Sequence, residues 1–254
     1  MDASTTSVRF LSDPAPYERQ ESLYLRVREL EGRVLPDDAV RTLPFYSGTG
    51  RQAKEWHMRR RSFERLARYL GNKYAAEARL QILDLGCGNG WMSGRLSQKL
   101  NVEIWAVDLN RHELEQGARL FGSAGVQFFY ADILKDTLPE HHFDLAILGA
   151  SVQYFSDLET LIFMLKRSLK PGGEIHLIDS PFYRDDKSRK AASQRSAAYY
   201  ATMGVPEMAG FYHHHLLGDI LRLGGKDMNR TLVTRLQQKL GWLAPFPWIV
   251  VKNG

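Results

Sequence analysis

The stretch ILDLGCGNG, residues 82–90, sets the reading of everything around it. An apolar strand runs directly into Gly86, Gly88 and Gly90, and helix-forming sequence follows. Glycines at such a junction let the backbone approach a ligand that a Cβ would repel. The start of the next helix adds free N–H groups and partial positive charge. The spacing is G-x-G-x-G, which departs from the dinucleotide pattern G-x-G-x-x-G. Asp84 stands two residues ahead of the first glycine, where a carboxylate repels a pyrophosphate but pairs with an ammonium group. The loop therefore favours a ligand carrying an amino-acid group over NAD or FAD. The plainer alternative is a packing turn that binds nothing.

Working outward, short apolar runs alternate with helix-length segments. The runs are LQILDL (80–85), VEIWAV (102–107), VQFFY (126–130), FDLAIL (143–148) and GEIHLI (173–178), with amphipathic stretches near 91–100, 110–121 and 157–169. This alternation predicts parallel βαβ units with helices on both faces of one sheet. LKPGG (169–173) turns a helix into the next strand, residues 184–200 read as a polar helix, and PWIVV (247–251) reads as a last strand. No strand is evident between Tyr200 and Trp242. Upstream, residues 17–30 suit a short helix. Residues 53–70 suit a longer one, with Phe63, Leu66, Ala67 and Leu70 forming its buried stripe and Gly71 and Asn72 ending it. The expected division is an N-terminal helical extension or lid, 1–75, and a ligand-binding domain, 76–254.

Three further positions carry chemistry. Asp108 ends the strand EIWAVDLN about 20 residues after the loop, where an acid accepts both hydroxyls of a ribose; capping the following helix is the alternative. Asp132 in YADIL follows the third strand and suits an adenine amino group, with Ile133 against the ring. In FDLAILGASVQYFSD (143–157), Gly149 and Ala150 leave room beside the ligand, and Gln153 and Tyr154 are the polar side chains best placed to face a substrate.

In this order and spacing, LDLGCGNG, AVDLN, ADIL, FDLAILGASVQYF and LKPGGEIHLID resemble the successive motifs of class I methyltransferases dependent on S-adenosylmethionine (SAM). The likeness covers roughly residues 80–180 and is closest to the small-molecule branch that includes the ubiquinone/menaquinone-type enzymes. It implies an α/β, doubly wound, mostly parallel seven-stranded sheet with one antiparallel strand near its end. It implies SAM as cofactor, S-adenosylhomocysteine as product and a small molecule as methyl acceptor. Asp84 and the loop Gly86, Cys87, Gly88, Asn89 and Gly90 would surround the methionine part. Asp108 would hold the ribose, Leu109, Asp132 and Ile133 the adenine, and Gly149 would lie on the sulfonium side. Many members of that branch carry a His-His pair where this chain has Gln153 and Tyr154, which removes a base from that point. GASV also replaces the N-P-P-Y tetrapeptide of nucleobase amino-methyltransferases.

Other features bound the reading. The 254 residues are 44% hydrophobic and 25% charged, enough for one sizeable core. No apolar run approaches the roughly 18–20 residues of a membrane span, and MDASTTSVRF lacks the pattern of a secretory signal. The single cysteine, Cys87, rules out an intrachain disulfide and points to a cytoplasmic protein; in the loop it reads as a small side chain packed behind the cofactor. Lys and Arg number 34 against 29 Asp and Glu. Much of this excess sits at Arg51, Lys54, Arg59, Arg60, Arg61, Arg65 and Arg68, which suggests either a solvated helix face or contact with RNA. No metal-ligand spacing is present. The consecutive His213, His214 and His215 cannot close on one metal, since only alternate residues of a strand share a face; they read as a polar solvent-facing segment, and one of them, taken as His213, is the candidate general base near neutral pH. Gln153, Tyr154 and His213 are thus the candidate catalytic residues. An RNA methyltransferase and a non-catalytic SAM-binding module are the rival readings.

Overall fold

The computed structural model describes residues 7–74, 79–135, 138–229, 234, 236 and 245–254. The expected boundary between 75 and 76 lies outside the described residues, as do most of residues 230–244.

The apolar runs become the strands β2 (Leu80–Leu85), β3 (Val102–Asp108), β4 (Val126–Tyr130), β5 (Phe143–Gly149) and β6 (Leu169–Ile178). β1 (Arg9–Phe10) precedes them, and β7 (Phe182–Tyr183), β8 (His215–Leu216), β9 (Gly225–Asp227) and β10 (Ile249–Lys252) follow. Eight strands form one sheet in the order β1-β4-β3-β2-β5-β6-β10-β9, and β7 pairs with β8 apart from it. The seven strands from β4 to β9 are the expected sheet, with β10 antiparallel to both its neighbours. The eighth, β1, is added by the N-terminal segment, which pairs parallel with β4. β2 and β5 are nearly continuous apolar runs because helices cover both faces.

The helices are α1 (Glu18–Leu30), α2 (Asp37–Thr42), α3 (Gly50–Lys73), α4 (Trp91–Ser97), α5 (Arg111–Phe121), α6 (Leu158–Ser168), α7 (Asp186–Thr202) and α8 (Leu217–Arg222). On one face Phe63, Leu66 and Leu70 of α3 join Leu96 and Leu114 over Ile82, Ile104 and Leu145. On the other, Leu161 and Leu165 of α6 and Ile220 of α8 pack on Leu83, Val107 and Ile175. A third cluster joins Val27 of α1 to Tyr200, Val205 and Met208. It ties the N-terminal segment to the insertion after β6.

Three details differ from expectation. α3 runs through Gly71 and Asn72 to Lys73, whose ammonium lies 2.7 Å from Glu174. β6 begins at Leu169 and takes in LKPGG: Phe143 pairs with Leu169, the register then shifts, and Gly172 takes φ 77°. β9 falls in the stretch where no strand was evident. It is three residues, GKD, held by β10 and without apolar alternation of its own.

Candidate functional site

The sheet order reverses beside β2, so the crevice beyond the carboxyl ends of β2, β3, β4 and β5 is where an open α/β sheet binds a ligand. A cavity of about 750 Å³ opens there, lined by the loop after β2 and by residues following the other three strands.

The glycine loop is shaped by contacts on its far side. Gly86 and Gly90 have φ 72° and 68°; a Cβ on Gly86 would enter the Ser151 side chain, and one on Gly90 the Phe128 ring. Ser151 Oγ donates to the Leu85 carbonyl at 2.7 Å. The Gly86 and Cys87 amides both donate to Val107 O. The loop is thereby pinned between β3 and the turn after β5, with Gly86, Cys87, Gly88 and Asn89 lining the cavity. Gly90 caps α4 from behind. Burial holds the Cys87 thiol well above its usual range, which leaves it neutral.

Asp108 lines the cavity and ties the loop to the next turn. Oδ2 accepts from Gly88 N at 2.7 Å, and Oδ1 accepts from Leu109 N at 2.7 Å and Asn110 N at 3.0 Å. The helix-cap alternative is filled by its neighbour: Asn110 accepts from Glu113 N at the start of α5. Burial, with Glu113 nearby, pushes the Asp108 carboxyl up to about 7 against those backbone donors. Leu109, Asp132, Ile133 and Gly149 line the same space. Asp132 Oδ2 accepts from Tyr17 OH at 2.7 Å. Asp84 lies under the loop, outside the lining, with Ser93 Oγ at 2.6 Å from Oδ2 and Oδ1 buried without a partner. Burial raises its carboxyl to about 6.

The N-terminal segment supplies more of this wall than its sequence suggested. α1 brings Glu21, Tyr24 and Arg28 to the cavity. Arg28 pairs with Glu113 at 3.2 Å, and its buried Nε has no hydrogen-bond partner. Trp56 of α3 also lines the space, while Tyr46 packs on Trp56 at 6.5 Å and His57 is exposed.

The remaining half of the cavity is aromatic. Tyr154, Tyr183, Tyr200 and Tyr212 line it. Tyr154 stands edge-on to both Tyr24, at 5.6 Å, and Tyr212, at 5.9 Å. Gln153 lines it too, but its Nε2 donates to Ala150 O at 2.5 Å and Oε1 is buried without a partner. His213 is not brought in: none of the three histidines is among the lining residues, and the His213 amide donates to Gln153 O at 2.7 Å. His214 instead sits 3.0 Å from Ser196 Oγ, between the Tyr183 and Tyr212 rings. Burial lowers all three histidines below their usual range.

A carboxylate that the sequence reading passed over also lines the cavity. Asp179 follows β6, lines the cavity and has φ 55°, rare for a residue with a side chain. Ser62 Oγ of α3 donates to its Oδ1 at 2.5 Å; among the described residues, Oδ2 has no hydrogen bond. The amide of Ala150 donates to Ile178 O, which sets Asp179 beside the turn after β5. Burial raises its carboxyl to about 6. The available signal was an acid closing a sheet strand, the same signal that marked Asp108. Among the described residues, no group of three or more His, Cys, Asp or Glu side chains is arranged to hold a metal ion. Among them, no helix is long and apolar enough to cross a membrane.

The residues present fit SAM. A buried guanidinium N–H without a partner in the cavity wall suits its carboxylate, and an acid at the end of β3 suits its ribose. Residues 82–173 match the methyltransferase domain family. An uncharacterized methyltransferase of Mycobacterium tuberculosis is 29% identical over 97 residues, 38% of this chain and 49% of the relative. A malonyl-[acyl-carrier protein] O-methyltransferase of Pseudescherichia vulneris is 32% identical over 130 residues, 50% of this chain and 49% of the relative. The chain thus spans about half the length of these relatives. The solved geranyl diphosphate C-methyltransferase of Streptomyces coelicolor A3(2) is 17% identical, covers 96% of this chain and 100% of its own, and superposes with a TM-score of 0.60. Strand order, glycine loop and matched family agree: residues 82–173 carry a methyltransferase domain, on the open, mostly parallel sheet that the solved methyltransferase shares.

Proposed function

We propose that this protein transfers a methyl group to a small-molecule acceptor. The observation that carries the reading is a continuous cavity of about 750 Å³, one part built by the ends of β2 to β5 and the other by Tyr154 of the turn after β5 and by tyrosines of the added segments. That volume suits a cofactor with a small partner. When bound, SAM supplies an electrophilic methyl group on a sulfonium. The chain's own residues do the rest. Arg28 and the glycine loop would hold the methionine part, Asp108 the ribose, and Asp132 with Ile133 the adenine. Tyr154 and Gln153 would border the acceptor. Asp179 Oδ2 would take the proton from an O–H or N–H nucleophile. Positioning two reactants side by side supplies much of the rate in such a reaction.

Two of the similar proteins' names are consistent with this reading, one naming malonyl-[acyl-carrier protein] and the other geranyl diphosphate. The basic stretch does not favour RNA: Arg59 pairs with Glu55, Arg60 with Glu64, and Arg65 lies over the Trp248 ring. The test is saturable binding of SAM to the purified chain, lost in Asp108→Ala. Undetectable affinity in the wild type sinks the reading, and turnover with any acceptor separates an enzyme from a module that only binds SAM.

A further inference from the structure

Among the described residues, the acceptor half of the cavity gathers hydrogen-bond donors that no protein group uses, beside two free acceptors, Gln153 Oε1 and Asp179 Oδ2. Tyr154, Tyr183, Tyr200 and Tyr212 all line it, and among the described residues none of their hydroxyls makes a hydrogen bond. They come from four places, the turn after β5, β7, α7 and the segment before β8. They are nevertheless gathered by ring contacts: Tyr154 on Tyr212 at 5.9 Å, and Tyr212 on Tyr200 at 6.1 Å. Burial raises all four hydroxyls above the usual tyrosine range, so they are protonated donors at neutral pH.

The charges around them are unbalanced in the same direction. Arg33 and Arg59 are occupied by Glu31 and Glu55, and Arg28 by Glu113. Glu31 also accepts from Tyr199 at 2.5 Å. Three exposed cations at the cavity remain: Arg51 and Lys54 from the first turns of α3, and Arg195 from α7. Among the described residues none of them has a hydrogen bond or ion pair. Of the acids here, Asp179 has one oxygen bonded to Ser62 and lies close to Arg59, and its other oxygen is free. Phenolic and cationic donors converging on one space, in excess of the free acceptors there, are an arrangement that binds a carboxylate or phosphate. A neutral or cationic ligand would leave most of those donors unpaired on desolvation.

We propose that the methyl acceptor is a small anion, whose carboxylate or phosphate is held by these tyrosine hydroxyls and drawn in by Arg51, Lys54 and Arg195. The proposal rests on the methyl-transfer reading for the word acceptor, but the anion subsite is testable without it. Both α3 and α7 lie outside the strands and loop that build the cofactor half. The subsite therefore belongs to the segments added to the sheet.

The experiment is calorimetric titration of the full chain with phenyl phosphate, benzoate, benzyl alcohol and benzylamine, each with and without saturating S-adenosylhomocysteine. At least one anion is expected to bind about tenfold or more tighter than the alcohol and the amine, weakening as salt is added. Tighter phenyl phosphate identifies a phosphate, and tighter benzoate a carboxylate. The triple variant Arg51→Gln, Lys54→Gln, Arg195→Gln changes only exposed side chains, and is expected to lose about tenfold in anion affinity with S-adenosylhomocysteine affinity unchanged. Tyr212→Phe, which removes one hydroxyl and keeps the ring, is expected to weaken the anion alone. Equal binding of anion and alcohol, preference for the amine, no binding of either anion, or full affinity in the triple variant each overturn the proposal. Failure of S-adenosylhomocysteine to bind counts against the cofactor reading instead, and the titrations without it still decide the anion question.

Discussion

At the scale of single residues, three aspartates share one physical condition and divide the work. Asp84, Asp108 and Asp179 are each raised by burial, to about 6, 7 and 6. For Asp84 the consequence is a cost. A carboxyl whose folded pKa lies above its unfolded value favours the fold while protonated, and that contribution is lost as pH rises through about 6. In the ligand-free protein, Asp84→Asn is therefore expected to gain in Tm over the wild type as pH goes from 5 to 8. Thermal melts across that range check it, and a constant or shrinking difference contradicts it. For Asp179 the raised value suits proton acceptance near neutrality. Asp179→Asn is expected to keep SAM affinity within a few-fold and to lose about 100-fold in kcat with an O–H or N–H acceptor. The wild-type rate is expected to rise through pH 6 and the variant's to stay flat. A rate profile shared by both removes Asp179 from the chemistry.

At the scale of elements, α3 is the helix that joins the core to the site. Its apolar stripe packs on the sheet, its Ser62 holds Asp179, and its last turn docks on β6. There Glu174 is fully buried and meets Lys73 at 2.7 Å, Tyr69 OH at 2.9 Å and His176 at 3.3 Å. Burial alone would raise the Glu174 carboxyl, but bonds from His176, Lys73 and Tyr69 outweigh it and bring it down to about 2. A depressed carboxyl stabilises the fold above its unfolded pKa, and that stability is lost as pH falls through the folded value. Lys73→Met is expected to cost about 2 kcal/mol at pH 7, as the loss of a hydrogen bond to a charged group does. The deficit is expected to shrink below about pH 4.5 as the carboxyl protonates. Denaturant titrations at pH 7 and at about pH 3 measure it, between the usual carboxylate value and the lowered one, and an unchanged stability at pH 7 would falsify the docking role.

At the scale of the whole molecule, the sheet provides the cofactor half of the cavity and two separate segments enclose the other half. Val27 of α1 meets Tyr200, Val205 and Met208, so the N-terminal segment and the insertion after β6 hold one another over the carboxyl edge of the sheet. Met208 is 1% exposed, and Met208→Ala is expected to cost about 2–5 kcal/mol at that joint. Because the joint supports the acceptor half, acceptor KM is expected to rise more than the Kd for SAM. Equal loss of both affinities would place the joint's importance in overall stability instead.

The legible parts of this protein were those in which local pattern and ligand chemistry coincide. The period of the strands, the glycines of 86–90 and the acids at the ends of β3 and β4 are short-range features, so ILDLGCGNG and the motifs after it carried the sheet, the cofactor and its binding edge. Asp179 and Arg28 were not legible as site residues, because each comes from a different element and only packing brings them to the cavity. β9 was hidden for a related reason, since a three-residue strand owes its existence to its partner β10. His213, attractive as a residue type, was turned away by the backbone that bonds it to Gln153. By itself the sequence determined what this chain binds, because the cofactor edge is built from contiguous strand-loop-helix units. Only the tertiary structure decided what lines the rest of the cavity, because that wall is assembled from segments far apart along the chain.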